Sequence, residues 1–131
     1  MIGLDTNILL SAVTQDDPVQ TSLARTLIGT LDEANQGYVN LVVLVEFSWS
    51  LRTRYKYERT AIIEAIESMM RSAAFVMSDR DAINAALSRC RDDGLHFGDS
   101  LIGELNRVAG CSTTMTFDRP ASNRTAFTRL V

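Results

Sequence analysis

The chain is poor in the residues that build sulfur and imidazole sites. Its 131 residues include two cysteines, Cys90 and Cys111, and one histidine, His96. The cysteines are far apart and have no partner at metal-ligand spacing, so a zinc site does not fit and reduced structural thiols are expected. The two prolines are Pro18 and Pro120. No repeat, low-complexity segment or linker interrupts the chain, and one domain spanning residues 1–131 is expected. The longest strongly apolar run, Leu41 to Val45, is too short to span a bilayer. Met1 to Asp5 lacks the positive region and long apolar stretch of a secretory leader. These absences predict a cytoplasmic protein. Lysine is almost missing: Lys56 stands alone among 13 basic residues, the rest being arginine.

What is present is an ordinary globular composition, 46% hydrophobic and 22% charged, with a net charge of −3. That sign disfavours a nucleic-acid partner until the acids are placed. Setting aside Asp5, Glu46, Asp99 and Asp118 leaves 13 basic against 12 acidic residues. Four acids gathered on a divalent cation would be compensated by that cation. Arginine is the better fork for phosphate.

The elements alternate in type. Met1 to Asp5 is a short apolar run ending in a polar turn and reads as a buried strand. Asp17-Pro18 opens a helix, with Leu23, Leu27, Ile28 and Leu31 at helical spacing up to Gly37. Gly37 to Asn40 reads as a strand. Leu41 to Tyr55 is ambiguous, because its β-branched start suits a strand and its length a helix. Glu58 to Arg71 is a clearer helix, with Ile62, Ile63, Ile66, Met69 and Met70 on one side. Ala74 to Met77 reads as a strand. A helix capped by Ser78 or Asp79 runs to about Cys90 and breaks near Gly94. The next follows Gly98, with Leu101, Ile102, Leu105, Val108 and Ala109 as its apolar face up to Gly110. Thr113 to Phe117 and Phe127 to Val131 read as strands. Strands alternating with helices predict a parallel α/β sheet with helices on both faces.

Ligands of such sheets bind beyond the carboxyl ends of the strands. Asp5 closes the first predicted strand and Asp118 a late one. Asp99 falls in the first turn of a predicted helix, where the dipole favours an acid in any case. Asp5-Thr6-Asn7, and Asp118 before Arg119-Pro120, are also good turn chemistry. Glu46 is harder to dismiss, since Leu41-Val-Val-Leu-Val-Glu46-Phe47 surrounds it with apolar residues. Burying it without a partner costs several kcal/mol, at least about 3. The expectation is therefore that a metal or cation meets it, the alternative being a rim position paired with Arg52 or Arg54. Oxygen donors of this kind suit Mg²⁺ or Mn²⁺. His96, three residues before Asp99, is read as structural or exposed rather than catalytic.

These residues resemble those of a known family. Leu4-Asp5-Thr6-Asn7-Ile8-Leu9 resembles the opening of PIN domains. Val45-Glu46 with Leu51 and Tyr55 is similar to that family's second acidic position. His96-Phe-Gly-Asp99-Ser100-Leu101-Ile102 is similar to the third, and Thr116-Phe117-Asp118 to the late Thr-x-Asp motif. The acids occur in the family's order across nearly the whole chain, and the length resembles the VapC-type toxins of prokaryotic toxin–antitoxin pairs. The resemblance implies a PIN-like three-layer sandwich with a central, mostly parallel sheet of about four or five strands. It implies that Leu41 to Tyr55 is a helix carrying Glu46. It further implies metal-dependent RNA hydrolysis leaving a 5′-phosphate and a 3′-hydroxyl, with Asp5 and Asp99 as main Mg²⁺ or Mn²⁺ ligands and Glu46 and Asp118 as direct or water-mediated ones. The metal would lower the pKa of water for in-line attack on a phosphodiester. Ser100 stands where the family often has Ala, and offers a hydrogen bond to a carboxylate or a water.

Thr6, Asn7 and Thr116 are candidates for hydrogen bonds that fix the acids, local turn and strand chemistry being the alternative. Arg52, Arg54, Lys56 and Arg59 form the densest basic stretch, either an RNA-phosphate surface or a solvated helix end. Trp49, Tyr55 and Tyr57 lie near it as possible base-stacking residues, with core packing the expectation for Trp49. The expected partners are an RNA substrate, a small VapB-type antitoxin offering Arg or Lys to the acids, and a second copy of the chain. Two rivals remain. An Asp-based phosphotransfer enzyme is a poor fit, because Asn7 replaces the second Asp of the haloacid-dehalogenase pattern and no late strand-end Lys exists for a receiver. A non-catalytic module on the same fold is the other, against which stands the presence of all four acids.

Overall fold

The computed structural model describes residues 1–118 and 126–130. Arg119-Pro120, a candidate turn, and Val131, the end of the last expected strand, lie outside the described residues. Contacts divide the chain into two compact units, Met1–Ser78 and Asp79–Val131.

The first unit runs β1 (Ile2–Gly3), α1 (Thr6–Thr14), α2 (Pro18–Gly29), β2 (Gly37–Val39), α3 (Leu41–Thr53), α4 (Arg59–Arg71) and β3 (Phe75–Met77). The strands pair in parallel in the order β1-β2-β3, with Ile2 opposite Gly37 and Gly37 opposite Phe75. Parallel neighbours need a crossover between them. The pair α1–α2 supplies the first and α3–α4 the second. The shared direction puts the carboxyl ends of all three strands at one edge, where the chain leaves toward Asp5, Asn40 and Ser78.

α1 is a helix where the sequence reads as a turn. Leu9, Leu10 and Ser11 bury one side of it, so packing overrides the turn chemistry of Asp5-Thr6-Asn7. α2 starts as expected: the Asp17 carboxylate accepts from the amides of Val19 and Gln20 at 3.0 and 3.1 Å, with Pro18 in the first turn. Its buried side matches the predicted one in part: Leu27 and Ile28 are half-buried and Leu31, just past the helix, is buried. Thr21 and Ala24 are buried while Leu23 is exposed. Small residues let α2 approach α1 closely, and the Thr21 hydroxyl donates to the Ser11 carbonyl at 2.8 Å.

α3 resolves the ambiguous segment as a helix. The Asn40 side chain accepts from the Val43 amide at 2.9 Å and caps it. Asn40→Ala is expected to cost about 1 kcal/mol, read in urea as a lower midpoint at unchanged m-value. α4 packs against α3 and β3 and buries Ile62, Ile63, Ile66 and Met70, as its periodicity predicts.

The second unit holds α5 (Arg80–Asp93), α6 (Phe97–Val108), β4 (Thr114–Thr116) and β5 (Phe127–Arg129). β4 and β5 pair in parallel, Thr114 opposite Phe127. Asp79 stands at the α5 cap position with φ 55° but makes no capping bond, whereas Gly94 closes the helix at φ 74°, where a side chain would be strained. α5 and α6 pack on each other. The Ser100 hydroxyl donates to the Ala86 carbonyl at 2.7 Å and ties them together. A Cβ on Gly103 would lie 3.0 Å from the Phe127 ring, so this glycine lets β5 reach α6. The buried face of α6 is therefore Phe97, Ser100, Leu101, Gly103 and Glu104, and Ile102 and Val108 of the predicted face are exposed.

The structure is α/β with parallel strands, the expected class. The described strands form the sheets β1-β2-β3 and β4-β5, fewer strands per sheet than the four or five expected. No described helix is long and apolar enough to cross a membrane. Neither cysteine is in a disulfide among the described residues; Cys90 is buried and Cys111 exposed.

Candidate active site

In the first unit, Asp5 follows β1 at the carboxyl edge of the sheet and is the N-cap residue of α1, yet its side chain makes no capping bond. The carboxylate is exposed and keeps its oxygens free. Thr6 beside it is buried, and its hydroxyl has no hydrogen-bond partner. A buried hydroxyl without a partner is costly, and it suits a place where a ligand or water completes the bonding. Asn7 is exposed and lines the groove between α1 and α2 with Ile8, Ser11, Gln20 and Leu23.

Glu46 lies in the second turn of α3, which packs on α1. It is exposed, which corrects the expectation of a carboxylate surrounded by apolar groups. The residues that bury are Val43, Leu44, Phe47, Ser48 and Leu51, a single stripe at helical spacing. At about 100° per residue, Val42, Glu46, Trp49 and Thr53 fall on the opposite side. Flanking apolar residues in sequence are thus not neighbours in space. Trp49, expected in the core, is 60% exposed on that outer side.

The basic stretch follows. Arg52 is half-buried in the last turn of α3, Arg54 and Lys56 are exposed, and Arg59 opens α4 half-buried. Arg54 stands 5.2 Å from the centre of the Tyr55 ring. The Tyr55 hydroxyl donates to the Asp16 carboxylate at 2.8 Å, and this bond holds the Asp16 carboxyl below its usual range. Tyr55 is therefore already engaged on both its face and its hydroxyl.

In the second unit, Asp99 sits half-buried in the first turn of α6, and the cap residue His96 makes no side-chain cap bond there. Ser100 is turned away from it, since its hydroxyl is committed to Ala86. Asp118 follows β4, exposed, and its amide donates to the Thr116 hydroxyl at 3.0 Å. Thr116 thus fixes the backbone that presents Asp118.

None of the four carboxylates forms a hydrogen bond or an ion pair through its side chain among the described residues. Within those residues no three His, Cys, Asp or Glu are gathered as a metal group. Oxygen donors of this type fit a hard divalent cation, and the partnerless Thr6 hydroxyl next to Asp5 agrees with that fit.

The acid that sequence reading overlooks is Glu104. It is buried, 3% exposed, and the Arg107 guanidinium grips it with two hydrogen bonds, of 2.6 and 3.1 Å, while Arg89 approaches to 3.6 Å. The Arg107 bonds hold its carboxyl below the usual range. Its spacing from Leu101 and Arg107, three residues each way on α6, is the signal that marks it.

A family model described as PIN domain matches residues 2–126. The match runs across both units, and the chain belongs to the PIN-domain family. Members of this family are typically nucleases that use divalent metal ions. No match was found among curated proteins.

Proposed function

We propose that the chain is a Mg²⁺- or Mn²⁺-dependent endoribonuclease, the toxin of a VapBC-type pair, acting in the cytoplasm on RNA phosphodiester bonds. The observation that carries this reading is that Asp5, Glu46, Asp99 and Asp118 have no side-chain partner among the described residues, whereas the buried Glu104 of α6 is paired with Arg107. Acids kept for structure are normally bonded inside the protein.

In this reading Asp5 and Asp99 hold the metal, with Glu46 and Asp118 ligating directly or through water. A bound cation there supplies an activated water and neutralises charge on the phosphate. The protein's own part is placement. Asp5 is the N-cap residue of α1 and Asp99 stands in the first turn of α6, positions where backbone amides favour anionic groups. Thr116 braces Asp118. Arg52, Arg54, Lys56 and Arg59 would offer phosphate contacts, and Thr6 and Asn7 hydrogen bonds that fix the acids.

The test is cleavage of a mixed cellular RNA pool by purified protein. Activity is expected with Mg²⁺ or Mn²⁺ and none in the presence of chelator. Cleavage that survives chelation sinks the metal-dependent reading. A small antitoxin carrying Arg or Lys is expected to co-purify from the native operon, since it would answer the free acids. Its absence there would count against the toxin role while leaving the nuclease standing. A homodimer is expected for the toxin.

A further inference from the structure

We propose that the Trp49 indole is a stacking platform for an unpaired RNA base, held one helical turn from the Glu46 carboxylate. The inference rests on the ribonuclease reading above and adds the form of the substrate, a single strand with an accessible base.

Three observations lead to it. The first is exposure. Trp49 is 60% exposed and Val42 68%, on a helix whose opposite side is fully buried at Leu44, Phe47 and Leu51. An indole left in water on a rigid element offers a large planar surface at little ordering cost. The second is placement. Val42, Glu46 and Trp49 are four and three residues apart and share one side of α3, so indole and carboxylate are about 4.5 Å apart along the axis. Phe47 and Ser48 are buried between them in sequence and fix the helix rotation. The Thr53 hydroxyl donates to the Trp49 carbonyl at 2.8 Å and leaves the ring untouched. The third is charge. Beyond Trp49 the last turn of the same helix carries Arg52, and exposed Arg54 and Lys56 follow the helix. Carboxylate, aromatic ring and cations therefore follow one another along α3 and the turn that leaves it.

That order matches a nucleotide chain. The carboxylate takes part in holding the metal at the scissile phosphate, the ring takes a base, and the cations take the next phosphates. Every base has a π-face, so the ring would select for unpaired structure more than for sequence. Tyr55 cannot serve equally, because Arg54 covers its ring and Asp16 holds its hydroxyl.

Trp49 is the only tryptophan of the chain, so its fluorescence reports this position alone. The full-length protein carrying Asp99→Asn, which holds RNA uncut, would be titrated in Mg²⁺ with a mixed-sequence single-stranded oligoribonucleotide. The same strand annealed in a duplex, and inorganic pyrophosphate, are the comparison ligands. Saturable quenching by the single strand alone is expected. In the uncut-binding assay by anisotropy, Trp49→Ala should weaken binding about tenfold to a hundredfold, and Trp49→Phe should restore most of it. Cleaving protein carrying Trp49→Ala should show the loss in KM more than in kcat. Single-strand binding by anisotropy without quenching overturns the proposal and leaves the nuclease intact. Equal quenching by duplex or by pyrophosphate overturns the unpaired-base assignment. A blue shift that grows with protein concentration and precludes quenching would show that a second copy covers this face, which also overturns it. Quenching with wild-type protein that never cleaves RNA would instead sink the nuclease reading and keep the stacking site.

Discussion

Asp99→Asn and Asp5→Asn are each expected to lower RNA cleavage by at least about a hundredfold while leaving the fold in place. The argument is one of charge at constant shape. Asparagine keeps the size of aspartate and removes the anionic oxygen that a hard cation needs. Loss of groups that merely orient a ligand already costs about tenfold to a hundredfold, and each further factor of ten is about 1.4 kcal/mol at the transition state. The stability side differs between the two. Asp5 makes no side-chain capping bond, and Asn is as good a cap residue, so no loss is expected. Asp99 lies in the first turn of α6, where a negative charge is favoured, so its removal should cost about 0.3–1 kcal/mol. Glu46→Gln and Asp118→Asn are expected to give smaller losses of activity, as befits acids that also act through water. Steady-state cleavage and urea midpoints measured on the same preparations separate the two effects. Wild-type rates in Asp99→Asn would remove Asp99 from the site.

The legible parts of this molecule were those where one local signal has one physical meaning. Asp17-Pro18 caps α2 in the structure because acid and proline satisfy and spare the same orphan amides. Ile62, Ile63 and Ile66 place the buried side of α4 because a long helix with one apolar stripe has one way to bury it. Asp5 and Asp118 follow β1 and β4 and Asp99 stands in the first turn of α6, as their local sequence suggests, whereas Glu46 lies in the second turn of α3. What was not legible needed neighbours that are distant in sequence. α1 was hidden because Asp-Thr-Asn is as good a turn as a helix start, and only the burial of Leu9 and Leu10 decides it. The apolar sequence neighbours of Glu46 suggest an apolar surround, but a helix separates adjacent residues by about 100°. The same geometry exposes Trp49. On α6 the apolar count favoured Ile102 and Val108, yet the small residues Ser100 and Gly103 win, because contact with Ala86 and Phe127 demands close approach. Large side chains advertise burial in a sequence; small ones that permit it do not.

Glu104 provides the second large effect, this time on stability. Its carboxylate is buried and gripped by two short bonds from Arg107 with Arg89 behind, so Glu104→Ala removes charge-assisted bonds and side-chain volume together. A loss of about 2 kcal/mol is expected near neutral pH, toward the low end for a buried ion pair because Arg107 itself is largely exposed. Glu104→Gln should lose somewhat less, since it keeps the volume. The pH dependence follows from the direction of the shift. The folded protein holds this carboxyl below its usual range, so the unfolded chain takes up its proton first. The stabilisation is therefore complete above the ordinary glutamate value of about 4.3 and fades as pH falls from there through the lower folded value. Unfolding free energies measured from neutral pH into acid should show wild type and Glu104→Gln converging below about pH 4. A gap that stays constant through that range would mean the ion pair contributes nothing and that shape alone keeps Glu104 in place. Convergence would show that the Glu104 charge, gripped by Arg107, serves the fold, in contrast to the four candidate acids, whose side chains have no partner among the described residues.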